Sequence, residues 1–192
     1  MKTLTHKLLV VILFSLLPAI HVAGQTGRKI TIKNHELTIP DLVLTDQDGK
    51  RVRFYTDLLK DKTFALSFFY TDCSYVCTRQ GQLFSSLQQR LGSRLGNDVF
   101  IVSVTMNPQT DTPRKLKRWA AKYRRQRGWT LLTGRVNEVE KLLHLFTGET
   151  VGPKEIHSGV IYLADDKSGR WSQIDDLTPA SDVERKLSEL KH

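Results

Sequence analysis

The 192-residue sequence predicts an α/β fold: a central mixed sheet with helices on both faces and a β-hairpin at its N-terminal side. Three observations carry this. Short apolar runs at Phe64–Tyr70, Val99–Val104 and Gly159–Leu163 have the length and the aromatic or β-branched content of buried strands. Between them, apolar residues recur at helical spacing, as at Leu116, Trp119, Ala120 and Tyr123. The two patterns alternate and end in a hairpin and a helix. That is the order of a mostly parallel sheet with one antiparallel edge.

The elements follow in order. Leu42 to Leu44, the turn signal Asp46-Gln47-Asp48-Gly49, and Val52 and Phe54 predict a hairpin within residues 37–54. A short helical piece is expected at Asp57–Lys60, then the strand Phe64–Tyr70. The helix after Cys77 carries Leu83, Phe84, Leu87 and Leu91 and stops near Gly92 and Gly96. After the strand Val99–Val104, Asp111 or Thr112 can cap a helix whose first position suits Pro113. Trp129–Leu132 is a short strand, and Val139, Leu142, Leu143 and Phe146 mark a third helix. Glu149–Ile156 is a loop. His157 and Ser158 lead into the strand Gly159–Leu163, which turns at Asp165–Gly169 into an antiparallel partner, Trp171–Ile174. Ser181 and Glu184 have capping-box spacing for the last helix.

The first residues stand apart. Lys2 and Lys7 precede an apolar stretch from Leu8 to Val22, with small residues at Val22-Ala23-Gly24. This has the form of a secretory signal peptide at 1–24, with an uncleaved N-terminal anchor as the alternative. At about 15 residues the stretch falls short of the roughly 20 that span a bilayer, and no cysteine follows it to take a lipid. Residues 25–36 are expected to form a tether and 37–192 the folded domain. The chain is therefore expected to be exported, periplasmic or held on the extracytoplasmic side by its N-terminus.

The formal charge is +9, and +7 without Lys2 and Lys7. The excess is concentrated in Arg114 to Arg127, which holds eight lysines and arginines. Such a run is either the solvated face of a helix or a docking patch for an acidic partner or an anionic membrane surface. Nothing in the sequence supports nucleic-acid binding.

Cys73 and Cys77 are the only cysteines. A disulfide between them would close so small a loop that it adds only about 2 kcal/mol, which makes a structural staple a poor explanation. They follow a buried strand at the expected start of a helix, where the helix dipole favours a thiolate. On a helix, positions i and i+4 share a face. Two thiolates so placed can pinch a soft metal ion or cycle through a disulfide. A tight site needs a further ligand. Of six histidines, His157 is the candidate, if the strand it precedes neighbours Phe64–Tyr70.

These residues carry a resemblance. Phe68-Phe69-Tyr70-Thr71-Asp72-Cys73-x-x-x-Cys77 resembles the cysteine motif of the Sco/SenC family of cytochrome c oxidase copper-assembly proteins. Ser103 to Pro113, Trp129 to Gly134, and Ile156-His157-Ser158 before Val160 to Leu163 match its later segments in order. The resemblance implies a thioredoxin-like fold and copper, Cu(I) or Cu(II), bound by Cys73, Cys77 and His157. It also implies a metallochaperone role: delivering copper to the binuclear copper site of an oxidase subunit, or reducing that site's cysteines. Another copper chaperone or a thiol reductant would be a further partner. Thr78 stands where the family usually has proline, and Asn107 where it often has aspartate. A thiol-disulfide oxidoreductase using Cys73 to attack and Cys77 to resolve, and a copper or redox sensor, are the alternative readings.

Overall fold

A computed structural model describes residues 27–32, 35–148 and 159–191. The expected leader, part of the tether, the loop after the third helix and His157 lie outside the described residues.

The core is a seven-stranded sheet in the order β4-β3-β7-β6-β5-β8-β9. Strands β5 (Thr63–Phe69), β6 (Val99–Thr105) and β7 (Trp129–Thr133) run parallel in the middle. The hairpin β3 (Val43–Asp46) and β4 (Arg51–Arg53) adds antiparallel to β7. On the other side β8 (Ile161–Asp165) runs antiparallel to β5 and pairs with β9 (Arg170–Ile174). The mixed sheet is as expected, but it has an antiparallel pair on each side rather than on one. A separate hairpin, β1 (Arg28–Ile32) and β2 (His35–Ile39), forms a two-stranded sheet that the sequence reading does not foresee.

Alternation along β5 divides the core. Phe64, Leu66 and Phe68 face one layer, which holds α3 (Val136–Thr147) and the residues around Phe54. Ala65 and Phe69 face the other, which holds α1 (Val76–Leu91), α2 (Pro113–Lys122) and α4 (Ala180–Lys191). Helices thus cover both faces, as in the thioredoxin-like fold the resemblance implies. In the second layer Trp119 of α2 lies between Phe69, at 4.5 Å between ring centres, and Trp129, at 6.1 Å.

Local chemistry sets several boundaries. The short helical piece is a π-helical turn, Phe54–Leu59. Its early amides are capped from a distance: Asp41 accepts from the backbone N–H groups of Tyr55, at 3.1 Å, and Thr56, at 2.9 Å. Of the two caps proposed for α2, Thr112 is the one used, accepting from the Lys115 amide at 3.4 Å. Asp111 turns inward instead. The last helix begins at Ala180, so Ser181 lies inside it rather than at its cap.

Candidate metal centre

The carboxyl ends of β5, β6 and β7 lie together, and the chain emerging from β5 carries the cysteines. Met106 donates its amide to the Phe69 carbonyl at 2.6 Å, so the strand ends of β5 and β6 are locked side by side. The turn after β5 is then fixed by a buried carboxylate. Asp111, 1% exposed, accepts from the Thr71 amide at 3.0 Å, the Thr71 hydroxyl at 2.5 Å and the Thr105 hydroxyl at 2.5 Å. The segment that enters the cysteine turn is thus tied to the loop after β6.

Cys73 lies in this turn, not on the helix. Helix α1 starts only at Val76, after Tyr75 takes a non-helical conformation with φ −117° and ψ −82°. Cys77 is therefore the second helical residue, and its N–H, one of the donors a helix leaves unpaired at its start, points at the Cys73 sulfur at 3.2 Å. The expected arrangement of both thiols on one helical face is replaced by a sulfur capping the helix that bears the other. The two remain neighbours, both as thiols.

Their surroundings differ. Cys77 is fully buried among Phe69, Phe84 and the α1–α2 packing, while Cys73 is half-buried. Burial, reinforced by hydrogen bonding to Cys73, pushes the Cys77 thiol far above its ordinary range. Two tyrosines flank the pair. Burial raises the Tyr70 hydroxyl above its usual value, and the neighbouring Cys73 adds to this through charge and a hydrogen bond. Burial likewise raises Tyr123, which hydrogen-bonds Thr78 and packs its ring over Gly81. Sequence reasoning passed over both tyrosines and the Asp111 network.

Among the described residues, no group of three or more histidine, cysteine or acidic side chains forms a site able to hold a metal. The cysteine pair supplies two soft donors, the type that suits copper, and among the described residues no histidine or carboxylate joins them in a three-ligand group. The chain near His157 enters the sheet at the cysteine end. Ile161, the first residue of β8, pairs with Ser67 near the end of β5. Gly159 packs against Asp176, where an added Cβ would meet the carboxylate at 2.5 Å. Asp176 in turn pairs with Arg79 of the first turn of α1 at 2.6 Å. The condition set on His157, that its strand neighbour β5, is met. His144 is exposed on α3, which packs on the layer of the sheet opposite the one that holds the thiols.

Fold and motif are tied to a family by comparison. The family model described as SCO1/SenC matches residues 31–192. The chain belongs to the SCO1/SenC family. Among curated proteins it is similar to a Stutzerimonas stutzeri protein named as copper-binding, 28% identical over 145 residues, 74% of this chain and 69% of that protein. Among solved structures it is similar to a SCO1/SenC family lipoprotein from Bacillus anthracis, with a TM-score of 0.68, 28% identity, and coverage of 79% of this chain and 93% of that one. It is also similar to BsSco, a member of the Sco family of cytochrome c oxidase assembly proteins in which a disulfide switch was identified. There the TM-score is 0.65 at 26% identity, covering 78% of this chain and 90% of BsSco. Among the described residues no helix is long and apolar enough to cross a membrane.

Proposed function

We propose that this SCO1/SenC protein is an exported copper metallochaperone that loads the copper site of an oxidase subunit, with Cys73, Cys77 and His157 as the copper ligands. The observation that carries the reading is the Cys73–Cys77 pair at the carboxyl end of β5, with the Cys77 amide 3.2 Å from the Cys73 sulfur, Cys73 half-buried and Cys77 fully buried. Copper is cargo here, held by two thiolates and an imidazole. Deprotonation of the buried Cys77 thiol would accompany metal capture, because a thiolate and not a thiol is the ligand. Cys73 is placed to give up or receive the metal first, being the sulfur nearer the surface. An acceptor thiolate would replace Cys73, then Cys77, on the copper.

The test is copper titration of the reduced full chain. One copper per chain is expected, lost in Cys73→Ser and in Cys77→Ser, and weakened by about tenfold or more in His157→Ala. Unchanged affinity in His157→Ala would remove the third ligand, and stoichiometric copper in either cysteine variant would remove the site.

The closeness of the pair, with the Cys77 amide 3.2 Å from the Cys73 sulfur, also favours a second reading, reduction of the acceptor's disulfide. The Cys73 thiolate would attack one acceptor sulfur and release the other as a thiolate. Cys77 would then attack Cys73, freeing the reduced acceptor and leaving a Cys73–Cys77 disulfide. A potential of that disulfide below about −300 mV would rule this out as a working cycle.

A further inference from the structure

The basic run on α2 and just after it divides into two flanks with different partners. On the far side, Lys117 and Arg125 both reach Asp48 of the β3–β4 turn, at 2.8 Å and 3.7 Å. On the side toward the cysteines, Lys115, Arg118 and Lys122 fall at i, i+3 and i+7 and so share a helix face. They line a cleft of about 290 Å³ whose other wall is Thr71 and Asp72, the two residues before Cys73. Only Lys115 has a carboxylate there, the exposed Asp72 at 3.7 Å. Among the described residues Arg118 and Lys122 pair with none, and both are exposed. Buried Trp119 also lines the cleft, and with Leu116 and Ala120 it commits α2 to the core.

We propose that this cleft is a docking surface for an acidic protein surface, and that it guides the acceptor's sulfur onto Cys73. This rests on the reading of Cys73 as the sulfur that meets the acceptor. Charge complementarity names the partner class: unneutralised cations on a rigid helix attract carboxylates. Their position against Thr71 and Asp72, just before Cys73, means that a partner held there has its own thiol or disulfide within reach of the half-buried Cys73. Interfacial charge of this kind acts mainly on the rate of encounter and is weakened by salt. A solvated helix face would leave the reaction at Cys73 indifferent to the partner's charge. An anionic membrane would use the same cations without that coupling.

The test needs no copper, so its failure is separate from any failure of copper binding. The probe is a short peptide whose single cysteine, flanked by glutamates, is held as a mixed disulfide with thionitrobenzoate. The Cys73 thiolate bonds to the peptide sulfur, the old S–S bond breaks, and thionitrobenzoate leaves with the electron pair and is read by its colour. Cys77 then displaces the peptide as a thiol. At low salt, the full-length Arg118→Glu/Lys122→Glu variant is expected to react about tenfold more slowly than the parent with this peptide. Added salt should abolish the difference, and a lysine-flanked peptide should show the reverse order. Arg118→Gln/Lys122→Gln should fall between, which separates lost attraction from lost structure. Equal rates for parent and charge-reversed chain, or equal rates for glutamate- and glutamine-flanked peptides, overturn the proposal. A charge-reversed chain that leaves vesicles of phosphatidylcholine and phosphatidylglycerol while keeping the parent's peptide rate overturns it in favour of a membrane.

Discussion

The backbone N–H of Cys77 donates to the sulfur of Cys73 at 3.2 Å, so one cysteine, in the turn, caps the helix that carries the other. This makes the two thiols unequal. Cys73 is half-exposed, whereas Cys77 is fully buried with its thiol pushed up by that burial. Iodoacetamide at neutral pH is expected to modify Cys73 first, with Cys77 at least about tenfold slower. Peptide mass mapping checks the order. Cys77→Ser should keep the fast site and Cys73→Ser should lose it. Faster labelling of Cys77 would mean that the assignment of outer and inner sulfur is reversed.

Asp111 is expected to hold the cysteine turn in place. It is buried and accepts both Thr71 donors and the Thr105 hydroxyl. Asp111→Ala leaves these groups without their acceptor and should cost about 2–3 kcal/mol, read from the urea midpoint. The same change should speed alkylation of Cys77, because the turn that seals it is tied down through Thr71. Loss of stability with Cys77 as protected as before would limit Asp111 to a structural role.

How much of this was legible beforehand follows from the range of each interaction. Strand β5 and helices α1 to α3 are written in local apolar periodicity, and the Cys73–Cys77 spacing marked the site. Periodicity does not say where a helix begins, so the spacing places Cys73 at a helix start, whereas Tyr75 breaks the path before Val76. Alternating strands and helices suggest a more parallel sheet, but β8 pairs antiparallel with β5, a direction that local periodicity does not carry. Asp41 capping the turn at Phe54–Leu59 and Asp111 holding Thr71 act across 14 to 40 positions. An aspartate reads the same in sequence whether it caps its neighbour or a distant segment.

The packing of α2 against α1 gives a prediction whose sign runs against helix propensity. In an exposed helix, Gly→Ala stabilises by about 1 kcal/mol. At Gly81, a Cβ would lie 2.4–2.6 Å from three ring carbons of Tyr123. That ring is also packed against Trp119, at 4.6 Å between ring centres. Gly81→Ala is therefore expected to destabilise, by about 1–2 kcal/mol. In a cycle with Tyr123→Ala the double variant should lose less than the two single losses together. Additive losses would mean that the ring and the glycine are not in contact.

Acid stability should report the Asp41 cap. Burial alone would raise its carboxyl, but hydrogen bonds from the side chain and amide of Thr56, from Arg53 and from the Tyr55 amide more than offset this and hold it below the usual carboxylate value. Asp165 is lowered in the same way: burial opposes, while hydrogen bonds from Ser168 and Thr63 prevail. A carboxyl whose folded pKa lies below its unfolded one stabilises the fold fully above the unfolded value, near 3.9. That contribution is lost as the pH falls through the lower, folded value. The urea midpoint should then hold level down to about pH 5 and fall steeply below about pH 4. Asp41→Asn should start from a lower plateau, since the amide accepts fewer of these bonds, and should show a shallower acid slope because one of the titrating groups is gone. An Asp41→Asn chain whose slope below that pH matches the parent's would show that this carboxyl does not supply the linkage.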